Sequence, residues 1–213
     1  MKRPRLLDGE DLLPAPVQQR SAKKRERLQD AALALFGQHG YAQASLADIA
    51  RRANVAVGGV YLHFRSKRQL LLVLMDELLE RLASLDVTPR SSTDVRAALH
   101  EMLTRAFSAD IKYLGAYRAW HEAVRTDREL AALDAKIHAW TSERVRTVFE
   151  RLRQAPGARP NVDAAALART MDVFFWHQLA QAATLRPKDM CEWIDSATHL
   201  VYHAFFSDGP PAR

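Results

Sequence analysis

Reactive side chains are scattered through this 213-residue chain rather than gathered. The histidines are dispersed, and only His199 and His203 stand at i, i+4, the spacing that places two imidazoles on one helix face. No third ligand stands nearby, so a pair satisfied at an interface is the better reading than a metal site. Asp172 and His177 are five residues apart and fall on different faces of a straight helix. There is no HExxH, no glycine-rich phosphate loop between strand and helix, and no pair of cysteines. No catalytic group, metal or cofactor is expected, and a helical-bundle enzyme is the weakest reading.

The chemistry that the chain does support is charge neutralisation. Residues 1–70 hold 13 Lys and Arg against 6 Asp and Glu, a net of +7, while residues 71–213 hold 18 against 19, a net of −1. A basic excess confined to one segment suits contact with phosphates and release of their counterions. A solvated basic tail would account for Lys2, Arg3 and Arg5, but not for where the excess stops.

The elements that must carry those charges are helical. Ser45 precedes Asp48 by three residues, a capping-box pattern, and Leu46, Ile49, Ala50 and Ala53 then recur on one helix face. Asn54 suits a left-handed helix exit. A second short helix is predicted from Ala56 or Val57, carrying Val60, Tyr61 and Phe64. Ser66 to Gln69 is another capping box, opening a leucine-rich helix from Lys67 to about Leu85. Two short helices joined by a three- or four-residue turn form a helix-turn-helix, whose second helix fits the DNA major groove.

Ahead of it, a first helix over 22–38 shows the stripe Leu28, Ala31, Ala32, Leu35 and Phe36, with Gly40 placed to end it. Residues 1–21 show no sustained period and read as a flexible arm. Beyond a loop at 86–93, further helices are predicted from Asp94 to about Ala109 and from Asp110 to Arg125. Another follows Asp127 to about Gln154, and two more cover about 163–185 and 188–207, divided by Arg186-Pro187. The fold class is all-α with about nine helices. The expected domains are the arm at 1–21, a helix-turn-helix domain at 22–68 and a larger helical bundle at 69–213. No apolar run approaches the ~20 residues of a membrane span. The N-terminus lacks the apolar core of a secretory signal, and a lone Cys191, read as a small buried hydrophobe, fits a reducing cytoplasm.

FGQHGY at 36–41, SLADIARRANV at 45–55 and GGVYLHFRSKRQLL at 58–71 together resemble the TetR family of bacterial transcription regulators. The resemblance covers only the DNA-binding third of the chain. It implies a regulator, most often a homodimeric repressor, that binds double-stranded DNA at a near-palindromic operator and is released by a small, largely apolar effector. Control by a protein partner is the alternative. The resemblance assigns residues 57–62 to base contacts and Tyr61, His63 and Lys67 to the DNA backbone. The candidate DNA contacts are accordingly Lys23, Lys24, Ser45, Val57, Gly58, Gly59, Tyr61, Leu62, His63 and Lys67. Ala56 departs from the family by replacing the usual Ser or Thr cap of the recognition helix, at a cost of ~1 kcal/mol. Gly59 replaces a better helix former, Ala47 a polar residue, and Val57 a polar residue or proline.

The resemblance also implies dimerisation through the last two helices. Phe175, Leu179, Trp193, Leu200, Val201 and Phe205 are the candidate interface. Aromatic and polar side chains on the middle helices and the one after them are candidates to line an apolar ligand cavity: Tyr113, Tyr117, Trp120, His121, Trp140, Phe174, Trp176 and His177.

Overall fold

The computed structural model describes residues 2–13, 18–85, 94–183 and 187–207. Among them are nine α-helices and no strand: α1 (Gln19–Gln43), α2 (Leu46–Arg52), α3 (Val57–Val60), α4 (Lys67–Ser84), α5 (Val95–Asp110), α6 (Leu114–Ala123), α7 (Arg128–Arg153), α8 (Ala164–Ala182) and α9 (Pro187–Phe205). The segment 86–93 expected as a loop lies outside the described residues, as does Arg186.

Capping residues set most boundaries. Ser45, Ser66, Asp94, Asp127 and Asp163 each accept a backbone N–H of the first turn that follows them. Asn54, at φ 51°, makes the left-handed exit from α2. α1 reaches beyond its expected end to Gln43, but its helical geometry breaks at Gly40, where φ is 78°. The helix expected from Asp110 becomes a short 3-10 turn at Ile111–Tyr113 followed by α6.

α3 is the short element. No side chain caps it at Ala56, and Gly58-Gly59 form half its length, so little local preference sustains a longer helix. It ends at Val60, whose carbonyl then receives the N–H groups of both His63 and Phe64. Val60 and Phe64 are fully buried with Leu28, Phe36, Ile49 and Leu70, which gives the first three helices and the start of α4 one core.

The arm is a correction. Residues 2–13 lie along α4 rather than free: Leu6 is buried, and its N–H donates to Asp76 Oδ1 at 3.1 Å. Arg3 pairs with the same carboxylate at 2.7 Å. Arg68 then ties Glu10 to Asp127 and Glu129 at the start of α7, and Arg65 pairs with Asp11 at 3.0 Å. One apolar anchor and three ion pairs hold a segment whose own sequence carries no period.

α1 and α6 pack unusually closely, because Gly37 faces Gly115. A Cβ at Gly115 would stand 1.9 Å from the carbonyl oxygen of Leu33. Only glycine permits that approach.

Candidate functional site

The end of the helix-turn-helix is apolar and open to solvent. Val57 is 47 % exposed, Tyr61 53 % and Leu62 75 %, with Gly58 beside them. Lys23, Lys24 and Arg27 on α1 are also exposed. Lys24 and Arg25 lie close enough to His63 to act on its charge: burial first, then these two cations, push the His63 pKa below its ordinary value.

Three expected DNA contacts have other partners. His63 is buried against Phe64, with ring centroids 6.5 Å apart, and its carbonyl accepts from Arg25 at 3.2 Å. Ser45 is occupied in its capping box, accepting from the Asp48 N–H at 3.1 Å and donating to the Asp48 carboxylate. Lys67 Nζ donates to the carbonyls of Tyr41, Ala42 and Ala44 at 2.6, 3.3 and 2.8 Å and stands 4.4 Å above the Tyr41 ring. Burial lowers its pKa, against the opposing charge of Glu122. All three ammonium donors are thus engaged inside the protein. These carbonyls, left without an intrahelical donor where α1 ends, are partners that the expected phosphate contact did not take into account.

The same segment is held from the other side. Glu122 on α6 accepts the N–H groups of Tyr41 and Ala42 at 2.6 and 3.0 Å, and Arg118 donates to the Gly37 carbonyl at 2.6 Å. Residues 41–44, which lead directly into α2, are therefore clamped between α4 and α6.

A cavity of about 160 Å³ lies between α4, α5, α7 and α8. Leu82 and Leu85 wall it at the end of α4, Leu99, Met102, Leu103 and Phe107 on α5, and Tyr117 on α6. Trp140, Thr141, Arg144, Val148 and Phe149 of α7 and Asp172, Phe175, Trp176 and Leu179 of α8 complete most of the rest. Its lining is apolar apart from a few groups. Thr141 accepts the Trp176 Nε1–H at 3.3 Å, and buried Asp172 meets His138 Nδ1 at 2.6 Å. Burial works against a charge on His138, but the hydrogen bond and charge of Asp172, with Asp134 behind, hold its pKa above the ordinary value.

Of the eight expected cavity residues, Tyr117, Trp140 and Trp176 line it. Trp120 is buried and donates to Asp134 at 2.7 Å, and Tyr113 packs under Arg81, so both belong to the solid core. His121 and His177 face one another at 5.6 Å on the outer surface. Phe174 packs against Phe175 and Trp193. Helical spacing identified the apolar faces but not which turn of each met empty space. Leu99, Met102, Leu103 and Phe107 were legible as an apolar stripe; Arg144 carried no signal, being one of many charges on α7, and the partner of Asp172 lies on another helix.

The expected dimer residues divide as well. Phe175, Leu179 and Val201 line the cavity, Phe205 is fully buried against Phe149, and Trp193 is half-buried in the aromatic cluster around Phe107. They face inward because α8 packs on α6 and α7, and α9 packs on α5. Leu200 is 51 % exposed, and Val173 on α8, not expected, is 61 % exposed. Cys191 is exposed, not buried. Among the described residues no cluster of three or more His, Cys, Asp or Glu is placed to hold a metal, and no helix is long and apolar enough to cross a membrane.

Residues 28–74 match the family model described as bacterial regulatory proteins, tetR family. The repressor KstR of Rhodococcus jostii is 35 % identical over 104 residues, 48 % of this chain and 48 % of KstR, so the chain spans about half the length of that relative. A TetR-family regulator from Pseudomonas syringae is 26 % identical across 88 % of this chain and 98 % of its own, with a TM-score of 0.57. The SmeT–triclosan complex shares the fold at 23 % identity and a TM-score of 0.61, over 89 % of this chain and 96 % of that one. Over residues 28–74, the helix-turn-helix and the helices that flank it, this chain is thus similar to the tetR family of bacterial regulatory proteins.

Proposed function

We propose that the chain is a homodimeric transcriptional repressor, acting in the cytoplasm, that leaves a near-palindromic operator when a small, largely apolar molecule enters the cavity. The observation that carries this reading is physical continuity. α4 and α6 line the cavity with Leu82, Leu85 and Tyr117, and the same two helices grip residues 41–44 through Lys67 and Glu122. A ligand that fits the cavity best with these helices slightly displaced would shift the helix-turn-helix, because only differential affinity for two arrangements moves their balance. The SmeT structure holding triclosan supports a small-molecule effector. So does the cavity itself, since the partner-controlled alternative calls for a solid core.

On DNA, Val57, Tyr61 and Leu62 would meet the major groove, with Lys23, Lys24 and Arg27 on the phosphates. Val173 and Leu200 would meet their counterparts across the dimer axis. Salt tests the DNA half of the reading. A duplex enriched from a random pool by the protein should lose affinity linearly on a log–log plot, by ~0.9 per phosphate neutralised. A flat plot would remove DNA binding from the account.

A further inference from the structure

Among the described residues Arg144 is the one cation in the cavity wall. Its Nη2 donates to the carbonyls of Leu82 and Leu85 at 2.9 and 3.1 Å, the last turn of α4, and its guanidinium lies 5.2 Å from the Trp140 ring centroid. No carboxylate of the described residues pairs with it; Asp172, in the same wall, is taken by His138. Burial lowers its pKa and no acid offsets that, yet a guanidinium stays charged at neutral pH. A half-buried cation whose hydrogen bonds among the described residues go to neutral carbonyls has donors to spare in a low-dielectric wall, where a charge-assisted bond is strong.

The geometry points to an organic carboxylate as the effector, its apolar body in the cavity and its carboxylate on Arg144. This rests on the regulator reading above and names the ligand class for that cavity. The body is about the size of one aromatic ring: the volume is about 160 Å³, and an apolar cavity of about 150 Å³ accepts a benzene. The carboxylate would also act on α4. A guanidinium turned toward the ligand leaves the carbonyls of Leu82 and Leu85 without their donor, and the helix that carries Lys67 at its other end loses its C-terminal tie. Binding and release of DNA would thus share one side chain.

Phenylbutanoate and its neutral analogue phenylbutanamide are the probes, titrated calorimetrically into the full chain. Wild type should bind the carboxylate about tenfold tighter, the ratio that one charge-assisted pair supplies. Arg144→Gln, which can still donate to the α4 carbonyls, should erase that preference, and phenylbutanoate should no longer release DNA from it. Arg144→Lys, with charge but no fork, should keep part of it. Equal affinity for both probes in wild type, a preference that survives in Arg144→Gln, or no binding of either probe at millimolar concentration would overturn the proposal. DNA release by both probes alike would leave the regulator reading standing; failure to bind DNA at all would strike that reading instead.

Discussion

His138 stands between Asp172 at 2.6 Å and Asp134 at 3.7 Å, and Trp120 donates to the far oxygen of Asp134. This chain of groups fixes α6, α7 and α8 to one another beside the cavity. Because the folded-state pKa of His138 is raised above 6.5, its proton stabilises the fold. That contribution is complete below about pH 6.5 and is lost as pH rises through the folded value. His63 and His121 are shifted downward and act with the opposite sign, so the whole-protein melt mixes them. The clean readout is the His138 ring titration by NMR, which should fall toward the ordinary value in Asp172→Asn. The stability gap between wild type and that variant should narrow as pH rises. An unmoved midpoint would mean that the pair is not formed. None of this was legible in the sequence, where Asp172 could be compared only with His177 five residues away; its partner lies on another helix.

At the scale of elements, most boundaries were legible because single residues made them. Ser45, Ser66 and Asp127 cap where their types and spacing indicated, and Asn54 takes the positive φ expected of it. The arm and the 41–44 clamp were not, since both depend on contacts distant in sequence. Lys67 and Glu122 approach that clamp from α4 and α6. Lys67→Ala should therefore cost about 2 kcal/mol, the scale of hydrogen bonds to a charged group, read as a lower midpoint of denaturation. It should leave the salt slope of DNA binding unchanged. A slope lower by ~0.9 with unchanged stability would return Lys67 to the phosphates.

For the molecule as a whole, the all-α architecture and the placement of the helix-turn-helix were legible, whereas which apolar faces the fold leaves uncovered was not. Periodicity marks apolar residues without saying whether a neighbour in the same chain covers them, as it does for Phe205 and Val201. Leu200 and Val173 are left uncovered, and Val173→Glu with Leu200→Glu should halve the mass seen by light scattering. An unchanged mass would place the interface elsewhere. The central claim, that cavity occupancy controls DNA affinity, has a direct test. Ala106 lines the cavity, and Ala106→Trp would fill it with protein. Compounds that raise the melting temperature of wild type should weaken its affinity for the selected duplex at least about tenfold, or ~1.4 kcal/mol. Both effects should disappear in Ala106→Trp. Compounds that stabilise wild type through the cavity yet leave DNA affinity unchanged would contradict the account.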